Sequence, residues 1–252
     1  MRLLLLLVFF LLVPNFYSQS ASHITVARND RLVIRARTIL ILRPGIPGKE
    51  RATIRYPLIS GLSDARVLRR VRSILQVKNI FDTSVAKYRD GNWLEEFTYK
   101  VNYNKNYSFD ITFSQSGSGA YPDSQSKHFA ISLRNGSIIK ASDAFVSNKL
   151  ASLAALVRAK FQTELKQILK DLADSNSDSE DTRIAKEAQE ALEYKLADLD
   201  EFAIADKGIT FLYDAGYPHV IQAFEPEGRY FFSYAELKPY IKRDGPLGQF
   251  IQ

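Results

Sequence analysis

The sequence predicts an α+β fold. In this reading an antiparallel β-meander carries a few helices on one face, and two small domains share or abut one sheet. Three observations lead there. Apolar and polar residues alternate through the middle of the chain, two segments carry apolar stripes at helical spacing, and no fixed-period repeat runs through the 252 residues. With 46% apolar, 12% aromatic and 25% charged residues, there is enough apolar content for one large core or two small ones, and wholesale disorder is excluded.

The first element is a leader. Arg2 supplies a positive start, Leu3 to Val13 form an uninterrupted apolar run, and Pro14 breaks it. Ser18 and Ser20 are the small residues a signal peptidase reads, which places cleavage near Ser20/Ala21 and makes residues 1–20 a signal peptide. The apolar run spans about 16 Å as a helix, roughly half a hydrocarbon core, so removal is expected rather than retention as an anchor. No later stretch reaches the length of a membrane span. The expected location is therefore secreted or periplasmic, with no transmembrane helix once the signal is removed.

The first domain is expected over residues 28–90. Leu32 to Leu42 reads as a strand with one face partly wet, and Arg43 to Gly48 as a turn. Ala52 to Tyr56 resumes β character until Pro57 ends it or holds it at an edge. Ser63 or Asp64 then caps a helix whose buried stripe is Val67, Leu68, Val71, Ile74 and Leu75, with Arg66, Arg69, Arg70 and Arg72 on the remaining surface.

The second domain is expected over residues 91–245. In its first strand Phe97, Tyr99, Val101 and Tyr103 alternate with polar residues, Lys105 and Asn106 make a turn, and Phe109, Ile111 and Phe113 alternate along the return strand. That phase sends Asp110 to solvent. A loop covers residues 116–122, Phe129 to Leu133 form the third strand, Asn135-Gly136 suits a type I′ turn, and Ile138-Ile139 begin a fourth. Ser147 caps a long helix reaching about Asp174, striped with Leu150, Leu153, Leu156, Val157, Phe161, Leu165, Ile168, Leu169 and Leu172. An acidic loop over Ser175 to Asp181 precedes a second helix, Thr182 to about Ala197, whose sparse apolar residues cover the sheet weakly. Short strands follow at Phe202 to Ile204, Ile209 to Tyr213 and Arg229 to Tyr234, and Ala235 to Ile241 starts a terminal helix.

Charge is uneven. Arg28 to Arg72 holds twelve Lys/Arg against three Asp/Glu, whereas Phe161 to Phe202 holds five against twelve. Outside a cell a basic face points to an anionic wall polymer, lipid headgroups or an acidic partner rather than nucleic acid, or else to attraction between the two segments. The absence of cysteine excludes a disulfide scaffold, a thiol nucleophile and cysteine-ligated zinc. His23, His128 and His219 are too scattered for the common metal signatures, so neither a metal nor another cofactor is expected. No nucleophile elbow or phosphate-cradling loop occurs. One enzymatic route stays open, a pair of Asp/Glu carboxylates of the glycosidase kind.

Several motifs in order resemble a known domain pair. Tyr56-Pro57-Leu58-Ile59-Ser60-Gly61 before an amphipathic helix looks like the start of the domain first named in PdaC-type peptidoglycan deacetylases. Tyr99-Lys100-Val101-Asn102-Tyr103, then Gly117 to Pro122, Asn135-Gly136 and Asp143-Ala144-Phe145, is similar to the domain that follows it, as in the outer part of the anti-sigma factor RsiV. The resemblance covers roughly residues 50–241. It implies a non-catalytic extracytoplasmic binding or sensing module whose ligand is a lysozyme-like protein or peptidoglycan. The family's loop histidine is Tyr121 here, and the deacetylase metal histidines have no counterpart, so the deacetylase name implies domain company and not activity. The contact candidates are Gly117, Gly119, Tyr121 and Pro122 of the loop together with His128. The alternatives are a cell-wall carbohydrate hydrolase and a structural envelope protein.

Overall fold

The computed structural model describes residues 30–43, 47–119, 121–174 and 179–252. The expected signal peptide and its cleavage point, residues 44–46 of the first turn, residue 120 and residues 175–178 of the acidic loop lie outside the described residues.

The fold is α+β, with the strands divided between two sheets. Strands β1 (Val33–Leu42) and β2 (Arg51–Ser60) form an antiparallel ribbon paired from Val33↔Ser60 to Leu42↔Arg51. Pro57 does not end β2. The strand pairs with its other neighbour only at Thr53 and Ile54, so the missing N–H of Pro57 falls where no ladder needs it. Helix α1 (Ala65–Ile74) is capped by Asp64, whose carboxylate accepts from Arg66 N (2.8 Å) and Val67 N (3.2 Å). Two short helices that periodicity does not reveal follow, α2 (Val77–Ile80) and α3 (Val85–Asp90).

Strands β3 (Leu94–Lys105), β4 (Ser108–Ser118) and β5 (Pro122–Ser132) complete a five-stranded sheet in the order β1-β2-β3-β4-β5, parallel only between β2 and β3. The turn after β3 is Asn106-Tyr107, one residue later than expected. Both have positive φ (52° and 57°), as a two-residue type I′ turn requires, because Lys105 is still paired with Ser108. The Asn135-Gly136 turn is not of that type. Only Gly136 has positive φ, its N–H bonds the Ser132 carbonyl (2.8 Å), and Ile138 makes an isolated bridge to Ile131 instead of opening a strand. The meander therefore has three strands.

Helix α4 (Ala141–Ala144) and a 3-10 turn at Ser147–Lys149 lead into α5 (Leu150–Asp174), which buries Leu153, Val157, Phe161, Leu165 and Leu172 of the predicted stripe and leaves Leu150, Leu156, Ile168 and Leu169 half-buried. Helix α6 (Glu180–Ala191) is shorter than expected. It packs Ala185 with Leu172 and Ile221 at the far end of α5 rather than over the sheet. Strands β6 (Phe202–Ile204), β7 (Gly208–Leu212) and β8 (Arg229–Ser233) form a second, antiparallel sheet, and the terminal helix is the single turn α7 (Tyr234–Leu237).

Two cores result. One lies between the ribbon, α1–α3 and one face of β3–β5, and includes Ile54, Val71, Ile80, Phe97, Ile111 and Phe113. The other joins α5 to β6–β8 through Phe145, Val157, Phe161, Phe202 and Phe211. Arg43, which reads as a turn residue, is buried and donates to the carbonyls of Tyr88 and Leu94 (both 2.8 Å), tying the ribbon to α3 and β3. No helix among the described residues is long and apolar enough to cross a membrane.

Candidate functional site

The face of β3–β5 turned away from the first core is mostly polar, apart from Tyr103 and Ala130 at one end, which join the second core. Cross-strand pairing arranges it in rows, since directly opposed residues share a face. The rows are Tyr103/Asp110/Ala130, Lys100/Thr112/His128, Thr98/Ser114/Ser126 and Glu96/Ser116/Ser124. A register shift between Val101 and Tyr103 brings Tyr103 onto this face, although unbroken alternation would place it beside Phe97. Neighbouring strands lie about 4.8 Å apart and rows about 7 Å apart. The result is a regular array of small hydroxyl groups.

One end of this face is roofed by the second sheet. Asp110, expected in solvent, is fully buried. Its Oδ2 accepts from the backbone N–H of Ile204 on β6 (2.7 Å) and from His128 Nε2 (2.9 Å), and its Oδ1 accepts from Asn102 Nδ2 (2.8 Å). The alternation of β4 is correct; what it does not reveal is that β6 covers the second face. The network is self-consistent. With the proton on Nε2, His128 Nδ1 accepts the Thr112 hydroxyl (3.1 Å), and Asn102 donates to Thr112 Oγ1 (2.8 Å). Burying the carboxylate is tolerated because three donors replace its water.

Beyond this seal the face opens. A cleft of about 890 Å³ separates Lys100, Thr112 and His128 from Glu201, Thr210 and Arg229 at the second sheet. The next row is partly open, with Ser114 Oγ and Ser126 Oγ 3.1 Å apart. The last is the most exposed, with Glu96 and Ser124 on the surface.

The sequence-predicted contact residues divide between several settings. Gly117 belongs to β4, not to a loop; a Cβ there would overlap the Trp93 carbonyl oxygen. Pro122 begins β5, so the described part of the loop reduces to Gly119 and Tyr121. Gly119 has open space around it, and Tyr121, 65% exposed, stacks on His219 (ring centroids 4.9 Å apart). His128 stands apart from the tip, inside the Asp110 network. Asp143, Glu95 and Asp110 serve separate contacts and form no carboxylate pair: Asp143 Oδ2 accepts from Lys140 N (3.1 Å), Glu95 accepts from Ser118 Oγ, and Asp110 is committed to the seal. Among the described residues, no group of three or more His, Asp or Glu side chains could hold a metal ion.

The overall arrangement matches solved structures. A member of the DUF3298 family from Bacteroides fragilis NCTC 9343 superposes over 89% of this chain and 99% of its own, with a TM-score of 0.56 at 13% identity. The chain shares that fold. A DUF3298 family protein from Pseudomonas aeruginosa PAO1 aligns over 84% of this chain and 94% of its own, with a TM-score of 0.46 and 16% identity. No family model and no curated protein matches the sequence.

Proposed function

We propose that this protein is a non-catalytic binding module of the cell envelope, acting outside the cytoplasm, that holds a hydroxyl-rich glycan such as peptidoglycan against the open half of the polar sheet face. The observation that carries this reading is the ordered array Thr98/Ser114/Ser126 and Glu96/Ser116/Ser124, beside the cleft bounded by Lys100 and Arg229. Hydroxyls both donate and accept, so rows of them at fixed spacing match a ligand that presents the same groups. A rigid strand scaffold holds them in place without ordering cost on binding. The buried seal supports the non-catalytic part, because the hydroxyl, imidazole and carboxylate that come together there bond one another and a backbone N–H.

A protein ligand of the lysozyme kind is the second reading, favoured by the exposed Tyr121 stacked on His219 at the hairpin tip. Co-sedimentation with purified peptidoglycan, run beside a lysozyme pull-down, separates the two. The glycan reading expects sedimentation of the unaltered protein and its loss in the double variant Ser114→Leu/Ser126→Leu, with the melting temperature preserved. Retention of that variant overturns it. The protein reading expects lysozyme capture that Tyr121→Ala abolishes, and if neither partner is held both readings fall.

A further inference from the structure

The core-facing side of the β1–β2 ribbon runs out from beneath its core. Along that side the cross-strand pairs are Ile41↔Ala52, Ile39↔Ile54, Arg37↔Tyr56 and Arg35↔Leu58. Ile41, Ala52 and Ile54 are buried, Ile39 and Tyr56 are half-buried, and Leu58 is 45% exposed. Helices α1–α3 face this stretch across a groove of about 830 Å³, a volume suited to a small molecule. Its apolar wall includes Ile39, Tyr56, Leu58, Leu75, Val77 and Val85.

The charge around the groove has one sign. Arg35, Arg72 and Lys78 line it, and no carboxylate does among the described residues. Arg37 adds a fourth cation at the edge, with its guanidinium 6.0 Å from the centre of the Tyr56 ring. Arg72 is held in place by two bonds to the Ile59 carbonyl (3.0 and 2.8 Å). An apolar trough ringed only by cations complements a ligand with an apolar tail and a single anionic head. A cationic amphiphile would meet uncompensated repulsion, and a polar anion would leave the apolar wall unused.

We infer that the groove between the β1–β2 ribbon and α1–α3 binds a free single-chain fatty carboxylate, with the tail against Ile39, Leu58 and Val77 and the head between Arg35 and Lys78. This site is separate from the polar sheet face. Calorimetric titration of the full chain with dodecanoate, kept below its micelle concentration, tests it. The expected result is saturable one-to-one binding that weakens about tenfold or more in Arg35→Glu/Lys78→Glu, and that Leu58→Asp also weakens. All three residues are exposed, so circular dichroism of the variants is expected to be unchanged. Equal affinity for dodecyltrimethylammonium, undiminished binding in the charge-reversed variant, absence of a saturable site, or binding to anionic vesicles without binding to monomeric dodecanoate each overturns the inference.

Discussion

Ile111 and Thr112 are neighbours on β4, yet they belong to two different environments. Ile111 and the residues level with it, Val101 and Phe129, point into a core closed by the helices that precede β3. Thr112 lies on the opposite face, which is closed at one end by a strand pairing from much later in the chain and open at the other. The first face gains its stability by removing apolar area from water. The second is closed at one end, where Tyr103 and Ala130 join the second core and Asp110 meets Ile204 N, ninety-four residues downstream, and toward the other end its polar groups approach solvent. The same strands thus supply a rigid floor and a surface that can be occupied.

The sharpest way to break this comparison is at the seal. Asp110→Ala leaves His128, Asn102 and the Ile204 N–H without their acceptor, and a loss of about 3–5 kcal/mol is expected by denaturant unfolding. A loss under about 1 kcal/mol would mean that the roof does not depend on the network. On the core face, Tyr88 donates to Gln115 (2.5 Å), and burial pushes its hydroxyl pKa up to about 12. The unfolded chain ionises this residue near pH 10, so the folded state binds more protons above that pH. Its contribution is complete below about pH 10 and declines as pH rises through 12, by about 2–3 kcal/mol at most. Absorbance titration of tyrosinate combined with unfolding at graded alkaline pH checks this; ionisation of Tyr88 at the ordinary value would refute it.

The two glycines at the hairpin tip refine the contrast between scaffold and exposed surface. Gly117→Ala must displace the Trp93 carbonyl and is expected to cost about 1–3 kcal/mol, whereas Gly119→Ala, in open space, should stay within about 0.5 kcal/mol. Equal melting temperatures for the two would contradict the placement of Gly117 inside β4. Smallest of all, Ser114→Ala on the open row should change stability by about 0.5 kcal/mol or less, read by the same denaturant curves.

Much of the fold is legible in local pattern. Period-two alternation identifies β3, β4 and the last part of β5, the long stripe identifies α5, and Ser63 or Asp64 reads as a cap, of which Asp64 reaches two backbone N–H groups. The misses have specific causes. Asn106-Tyr107 lacks the glycine that usually marks a type I′ turn, the register shift after Val101 moves Tyr103 to the other face, and α2 and α3 are too short to carry a period. Of the site, His128 was visible as a lone histidine near a glycine-rich stretch. Its partners Asp110, Thr112 and Asn102 were not, because each reads as an ordinary polar residue on a wet strand face.

The amino-acid order by itself determined the α+β class, the alternation of each strand and the stripe of the long helix. These depend on spacings of two and 3.6 residues that any chain segment carries within itself. Only the tertiary structure decided which polar face would be roofed, that Asp110 would be buried, and that the apolar side of the ribbon would continue into a cation-lined groove. Those outcomes depend on contacts between segments far apart in the chain, for which no local periodicity exists.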